Sequence, residues 1–254
     1  MVERALSSDG VPIRFEVLGS GAPALVFVHG WSCDRAYWEH QRGVFAARHQ
    51  VVTIDLAGHG ESGAGRESWT MAAFGEDVMA VADQLALDAM VLIGHSMGGD
   101  VIVEAALRMP DRVRGLVWVD TYSSLGQPRT PQQIESLLTP FRADFAGATR
   151  EFVRGMFPST AEASLVERVV VDMAAAPPRV ALAAMEQAFG CEPAIVAGLR
   201  NLAKPVVAIN ADYRPSDVEA LRRHGVETVM IPGVGHFPMM EDPAAFNRLL
   251  DSVV

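Results

Sequence analysis

The 254-residue sequence predicts an α/β fold, a mostly parallel sheet with helices on both faces. Three observations point there. Short β-type runs alternate with longer helical ones, the rhythm of strand–helix–strand units. "ALVFVHG", ending at Gly30, is a continuous apolar run of the kind that fills a central strand buried on both faces. Between Thr121 and Lys204 the alternation stops, and then it resumes.

In order, Val11 to Leu18 reads as an early strand, turned by "GSGAP", and "ALVFVHG" follows as the central strand. A helix is expected over about Tyr37 to Arg48, then the strand "QVVTIDL" and the loop "AGHGESG". Met71 to Leu87 repeats Met71, Phe74, Val78, Val81, Ala82 and Leu85 at helical spacing, an amphipathic helix. "AMVLIG" is a strand, "GGDVIVEAALRM" a helix stopped at Pro110, and "VRGLVWVD" the next strand. Thr121 to Lys204 shows helical stretches punctuated by Pro128, Pro131, Pro140, Pro158 and Pro177–Pro178, too long a stretch for a structureless loop. The expected organisation is therefore a core of residues 1–120 and 205–254 with a small helical insertion over 121–204. "PVVAIN", a helix near Ser216 to His224, the strand "VETVMIP", the loop "GVGHF" and a closing helix from Asp242 complete the chain.

Composition narrows the function classes. Half the residues are hydrophobic and 20% charged, which suits a large buried core. A net charge of −10 argues against nucleic-acid and anionic-membrane partners. No apolar run approaches the ~20 residues of a membrane helix, and "MVERALSSDG" lacks the pattern of a signal peptide, so a cytoplasmic location is expected. Cys33 and Cys191 fit free thiols, and no cofactor or metal is implied, because no cluster has ligand spacing.

Gly94-His95-Ser96-Met97-Gly98 lies between a predicted strand and a predicted helix. In that context G-x-S-x-G reads as a nucleophile elbow, its glycines allowing a sharp turn that pushes the serine hydroxyl out of the sheet. A serine needs a base. His236, in "GVGHF" straight after the last strand, is placed at the same end of the sheet as Ser96. His29 and His59 sit beside glycine in loops and suit backbone hydrogen bonding; His40 and His224 fall in helices; His95, within the turn, should point away from Ser96. Acyl transfer also needs N–H donors for the oxyanion, and the amides of Met97 and Trp31 are the candidates.

"HGWS", "DLAGHGESG", "GHSMGG" and "GVGHFPMMEDPAAF" together resemble the α/β-hydrolase superfamily over essentially the whole chain. That resemblance implies an eight-stranded, mostly parallel sheet, a helical cap between strands six and seven, and a Ser-His-acid triad. The common position for the acid follows strand seven, but counting from Pro205 puts Arg214 there, in "AINADYRPSD". Two carboxylates stay open: Asp120, closing "WVDT" after strand six as in some lipases and dehalogenases, is preferred, with Asp212 as the alternative. The expected activity is hydrolysis of a carboxylic ester, lactone or thioester through an acyl-enzyme. The expected substrate is a small apolar or aromatic ester, since Phe141, Phe145, Phe152, Met156, Phe157, Met173, Met185 and Phe189 supply apolar surface in the insertion. Cofactor-free dioxygenases and slow-turnover receptors share the fold and are the competing classes.

Overall fold

The computed structural model describes residues 2–254. Eight strands form one sheet in the order β1-β2-β4-β3-β5-β6-β7-β8. They are β1 (Val2–Leu6), β2 (Pro12–Leu18), β3 (Ala24–Val28), β4 (Val51–Ile54), β5 (Met90–His95), β6 (Val113–Val119), β7 (Val206–Ala211) and β8 (Val226–Ile231). The first two strands pair antiparallel, β2 runs antiparallel to β4, and every later pairing is parallel. Every residue of β3, β4 and β5 is buried, which is why those segments are unbroken apolar runs. β1 escapes the sequence reading because it is an edge strand in which only Ala5 is buried. Its charged residues blunt an otherwise open edge.

The helices are α1 (Glu39–Phe45), α2 (Met71–Gln84), α3 (Met97–Arg108), α4 (Pro131–Ala143), α5 (Phe145–Arg154), α6 (Ala163–Ala174), α7 (Pro178–Gly190), α8 (Glu192–Leu202), α9 (Val218–Arg223), α10 (Pro238–Glu241) and α11 (Pro243–Asp251). The single helix expected over about Tyr37 to Arg48 is instead a 3₁₀ turn, Arg35–Trp38, capped by the Asp34 carboxylate, followed by the short α1. α2 starts at Thr70, whose hydroxyl accepts from the Ala73 N–H, and buries Phe74, Val78 and Val81 as its spacing requires. It packs on α3, which packs on α8, while α1 packs on α11. Five helices, α4 to α8, fill the interval between β6 and β7. Pro140 punctuates nothing: it lies inside α4, which opens on a capping box between Thr130 and Gln133. No single helix among the described residues is long and apolar enough to cross a membrane.

The strand order creates the crevice. The central strand β3 has β4 on one side and β5 on the other, so the connections leaving β3 and β5 diverge at their carboxyl ends. α3 begins hard against the end of β3. A Cβ on Gly98 would stand 2.6 Å from the carbonyl oxygens of both Val28 and His29. Gly43, on the exposed side of α1, has nothing within 4 Å of its Cβ position.

These two glycines give opposite expectations. Gly98→Ala should destabilise the protein by about 1–3 kcal/mol through overpacking. Gly43→Ala should stabilise it by about 0.5–1 kcal/mol by removing backbone freedom from a helix interior. Urea denaturation midpoints of the two variants should move in opposite directions, and midpoints that move together would refute the packing argument.

Candidate active site

β5 ends at His95, and the next residue turns sharply: Ser96 has φ 52° and ψ −121°, a strained conformation for a residue with a side chain. The strain is held by surrounding structure. The Ser96 N–H donates to the Val119 carbonyl at 2.9 Å. A Cβ on Gly94 would lie 2.3 Å from the Gly98 carbonyl oxygen, so only glycine lets the turn close. Ser96 thus sits at the N-terminal end of α3 with its hydroxyl on a cavity of about 790 Å³.

His236 reaches the same cavity from the loop after β8, and four contacts fix that loop. The His236 N–H donates to the Met156 carbonyl at 2.9 Å. His95, beside the nucleophile in sequence, turns inward and its Nε2–H donates to the His236 carbonyl at 2.8 Å. The Glu241 carboxylate accepts the N–H groups of Gly235 and Phe237, at 2.8 and 3.0 Å. His236 Nε2 then lies 2.9 Å from Ser96 Oγ, and its Nδ1 lies 2.6 Å from Asp120 Oδ2. A carboxylate can only accept, so Nδ1 carries the proton and Nε2 is left to accept the Ser96 hydroxyl.

Asp120 follows β6 at φ 48° and is 1% exposed. Its Oδ1 accepts the Ala211 N–H at 3.1 Å, and Arg214 Nη2 lies 3.3 Å from both Oδ2 and the Asp120 carbonyl. Burial would raise this carboxyl. The His236 hydrogen bond and charge, Arg214 and the Ala211 N–H together outweigh it and hold Asp120 below its ordinary value. Asp212 faces elsewhere, accepting the Gly233 N–H at 2.8 Å. The Tyr213 hydroxyl lies 3.4 Å from His236 Nδ1, close to the same junction.

Trp31 and Met97 both line the cavity. Met97 is the first residue of α3, where an amide has no acceptor within its own helix. The Trp31 indole N–H donates to the Ala181 carbonyl of α7 at 2.7 Å, and its ring meets Phe141 and Phe152 edge-on. This ties the loop after β3 to the inserted helices. Of the apolar residues singled out there, Phe152, Met156, Met173, Met185 and Phe189 line the cavity. Phe141 and Phe145 instead back Trp31, and Phe157 stacks on Phe237.

His29, His49, His59 and His95 hold backbone. His29 Nδ1–H donates to the Gly30 carbonyl and its Nε2 accepts the Leu56 N–H; burial lowers its pKa to about 4. His59 lies 3.0 Å from the Ala57 carbonyl. Burial likewise lowers His95 to about 3, which keeps it neutral beside His236. Glu241 and Tyr213 are neighbours of the site that the sequence reading left out, and it gave His95 and Arg214 positions but no partners. Their roles depend on long-range contacts with no local motif, although the "GHS" pattern does place His95 next to the elbow.

A model of the alpha/beta hydrolase family matches residues 25–249. The chain belongs to that family. Among its relatives is 3-oxoadipate enol-lactonase 2 of Acinetobacter baylyi, 26% identical over a gapped alignment of 264 positions that covers 98% of this chain and 95% of the enzyme. A thermophilic esterase from Thermogutta terrifontis superposes with a TM-score of 0.84 at 25% identity, over 99% of this chain and 97% of that one. Est816, described as an N-acyl homoserine lactone degrading enzyme, superposes at 0.81 with 27% identity, over 99% and 100% of the two chains. This protein is a hydrolase by family, and the sheet described above is the family's fold.

The cavity wall also carries the Asp100 carboxyl, which burial pushes up to about 7. A carboxyl raised on folding binds its proton in the native state while the unfolded chain has released it. Native stability must therefore fall as pH rises from the unfolded value near 4 to about 7, and level off above. Asp100→Asn removes the ionisation and keeps an acceptor. The variant should gain on the wild type across that window by up to about 4 kcal/mol, read from urea unfolding at pH 4.5 and 8. An unchanged difference at the two pH values would contradict it.

Proposed function

We propose that the protein is a serine hydrolase that cleaves carboxylic esters, lactones included, through an acyl-enzyme. The observation that carries this reading is the unbroken hydrogen-bonded chain Ser96 Oγ–His236 Nε2 and His236 Nδ1–Asp120 Oδ2, at 2.9 and 2.6 Å. The names of the enol-lactonase, the esterase and the lactone-degrading enzyme support the same substrate class.

In this mechanism Ser96 Oγ attacks the ester carbonyl while His236 Nε2 takes its proton. The oxyanion forms against the amides of Trp31 and Met97. The imidazolium that results is stabilised by Asp120, already ionised and aimed at Nδ1. His236 next protonates the departing alkoxide, leaving the acyl group on Ser96. Water then attacks the acyl-enzyme as His236 accepts its proton, and the acid leaves with the serine hydroxyl restored. The helices between β6 and β7 act as a cap, and their Phe152, Met156 and Met185 give the acyl or alcohol chain an apolar wall.

Ser96→Ala should lower kcat by about 10⁶, and Asp120→Asn by about 10⁴, because the amide leaves His236 in the wrong tautomer. Asp212→Asn should cost no more than a few-fold. A panel of p-nitrophenyl esters of graded acyl length reads all three, and Asp212→Asn being the more damaging carboxylate variant would move the acid to the loop after β7.

The pH profile is a further check. Asp120 is held below its ordinary value and stays charged well into acid, so its own protonation does not shape the acid limb. Log kcat/KM should rise with pH on the acid side with a slope of one; a slope of two would put a second protonation in the relay.

A further inference from the structure

Asp100 takes no part in the steps above, yet it faces the same cavity. It stands in the first turn of α3, four residues after Ser96, and both residues line that cavity. Asp100 is 4% exposed. Its Oδ1 accepts the Tyr122 hydroxyl at 2.8 Å, and otherwise the carboxyl meets only the weak thiol donor of Cys191. The charged groups acting on it, Glu104 and Glu192, carry its own sign.

We propose that Asp100 and Tyr122 form a polar subsite that binds a hydroxyl group of the substrate, in the same cavity as Ser96. This rests on the ester-hydrolase reading above and adds a specificity to it.

An asparagine would satisfy Tyr122 equally well without burying an ionisable group. Burial pushes the Asp100 carboxyl up to about 7, so a carboxyl here costs stability above that pH. A strongly perturbed acid in a cleft, with no structural need for its charge, marks a binding role. The ligand group follows from the chemistry. Ionised, the carboxyl accepts a hydrogen bond; protonated, it donates one, and a hydroxyl answers both states where an ammonium answers only the first. Trp31, Met156, Met173 and Phe189 give the cavity an apolar stretch that suits the substrate's carbon chain.

Two ester pairs test the subsite, each differing by a hydroxyl in place of a methyl: 3-hydroxypropyl butyrate against butyl butyrate, and ethyl 6-hydroxyhexanoate against ethyl heptanoate. Acid release in a pH-stat gives kcat/KM for each. The wild type should prefer the hydroxylated member of at least one pair by about tenfold, the worth of one well-made hydrogen bond. Asp100→Leu, of the same shape, should bring that ratio to about one, and Asp100→Asn should restore it. A merely structural Asp100 would lower both members of a pair equally and leave the ratio alone. If Asp100→Leu does not fold, Tyr122→Phe must lower the ratio instead. Turnover of both members without preference, or a ratio that survives these substitutions, overturns the subsite and leaves the hydrolase reading standing. Failure of the wild type to cleave any of the four esters overturns both.

Discussion

A carboxylate buried to 1% exposure cannot stay charged without partners, and the partners of Asp120 tie the active end of the sheet together. His236 comes from the loop after β8, Ala211 from the end of β7 and Arg214 from the loop beyond it. One carboxyl therefore links three chain segments that lie 91 to 116 residues away in sequence. The parallel register brings them within reach. Val119 pairs with His95 on one side and with Ile209 on the other, so residues just past β5, β6 and β7 emerge at one level. The Asp120 N–H bonds the Ile209 carbonyl, and the Ser96 N–H bonds the Val119 carbonyl. Backbone pairing places the acid and the nucleophile before any side chain acts.

The same end of the sheet carries its strain. Ser96 and Asp120 both adopt positive φ, and both are held by hydrogen bonds to a neighbouring strand. Strain of this kind costs on the order of 1–3 kcal/mol per residue and persists only where the surroundings over-determine it. Here the surroundings are a sheet whose central strands are wholly buried and a helix that only glycine allows so close. His95 serves the same end. Kept neutral by burial, it spends its Nε2–H on the His236 carbonyl and so sets the height of the base above the nucleophile.

The legibility of the chain in its sequence follows from the range of the forces involved. β3, β5 and the elbow are readable because full burial writes unbroken apolar runs, and a sharp turn writes glycines. Ser96 is readable because it directly follows β5, and His236 because it stands in the short loop after β8. β1 is not, since an edge strand with one buried residue carries little apolar signal. Asp120 and Asp212 stay undivided in the sequence because both follow strands that end at the same edge. What separates them is the direction of the turn at φ 48° and the Asp212 contact with Gly233. Arg214, standing where an acid is common in the family, points its guanidinium back at Asp120, a contact across 94 residues that no local pattern encodes.

The claim on which the account depends is that Asp120, through His236, makes Ser96 nucleophilic. It can be read without knowing the natural substrate, by measuring the rate at which a fluorophosphonate modifies the protein and locating the adduct by peptide mass spectrometry. The account predicts one adduct, on Ser96, forming orders of magnitude more slowly in Asp120→Asn than in the wild type or in Asp212→Asn. An adduct on another residue, or equal rates in the wild type and Asp120→Asn, would contradict it.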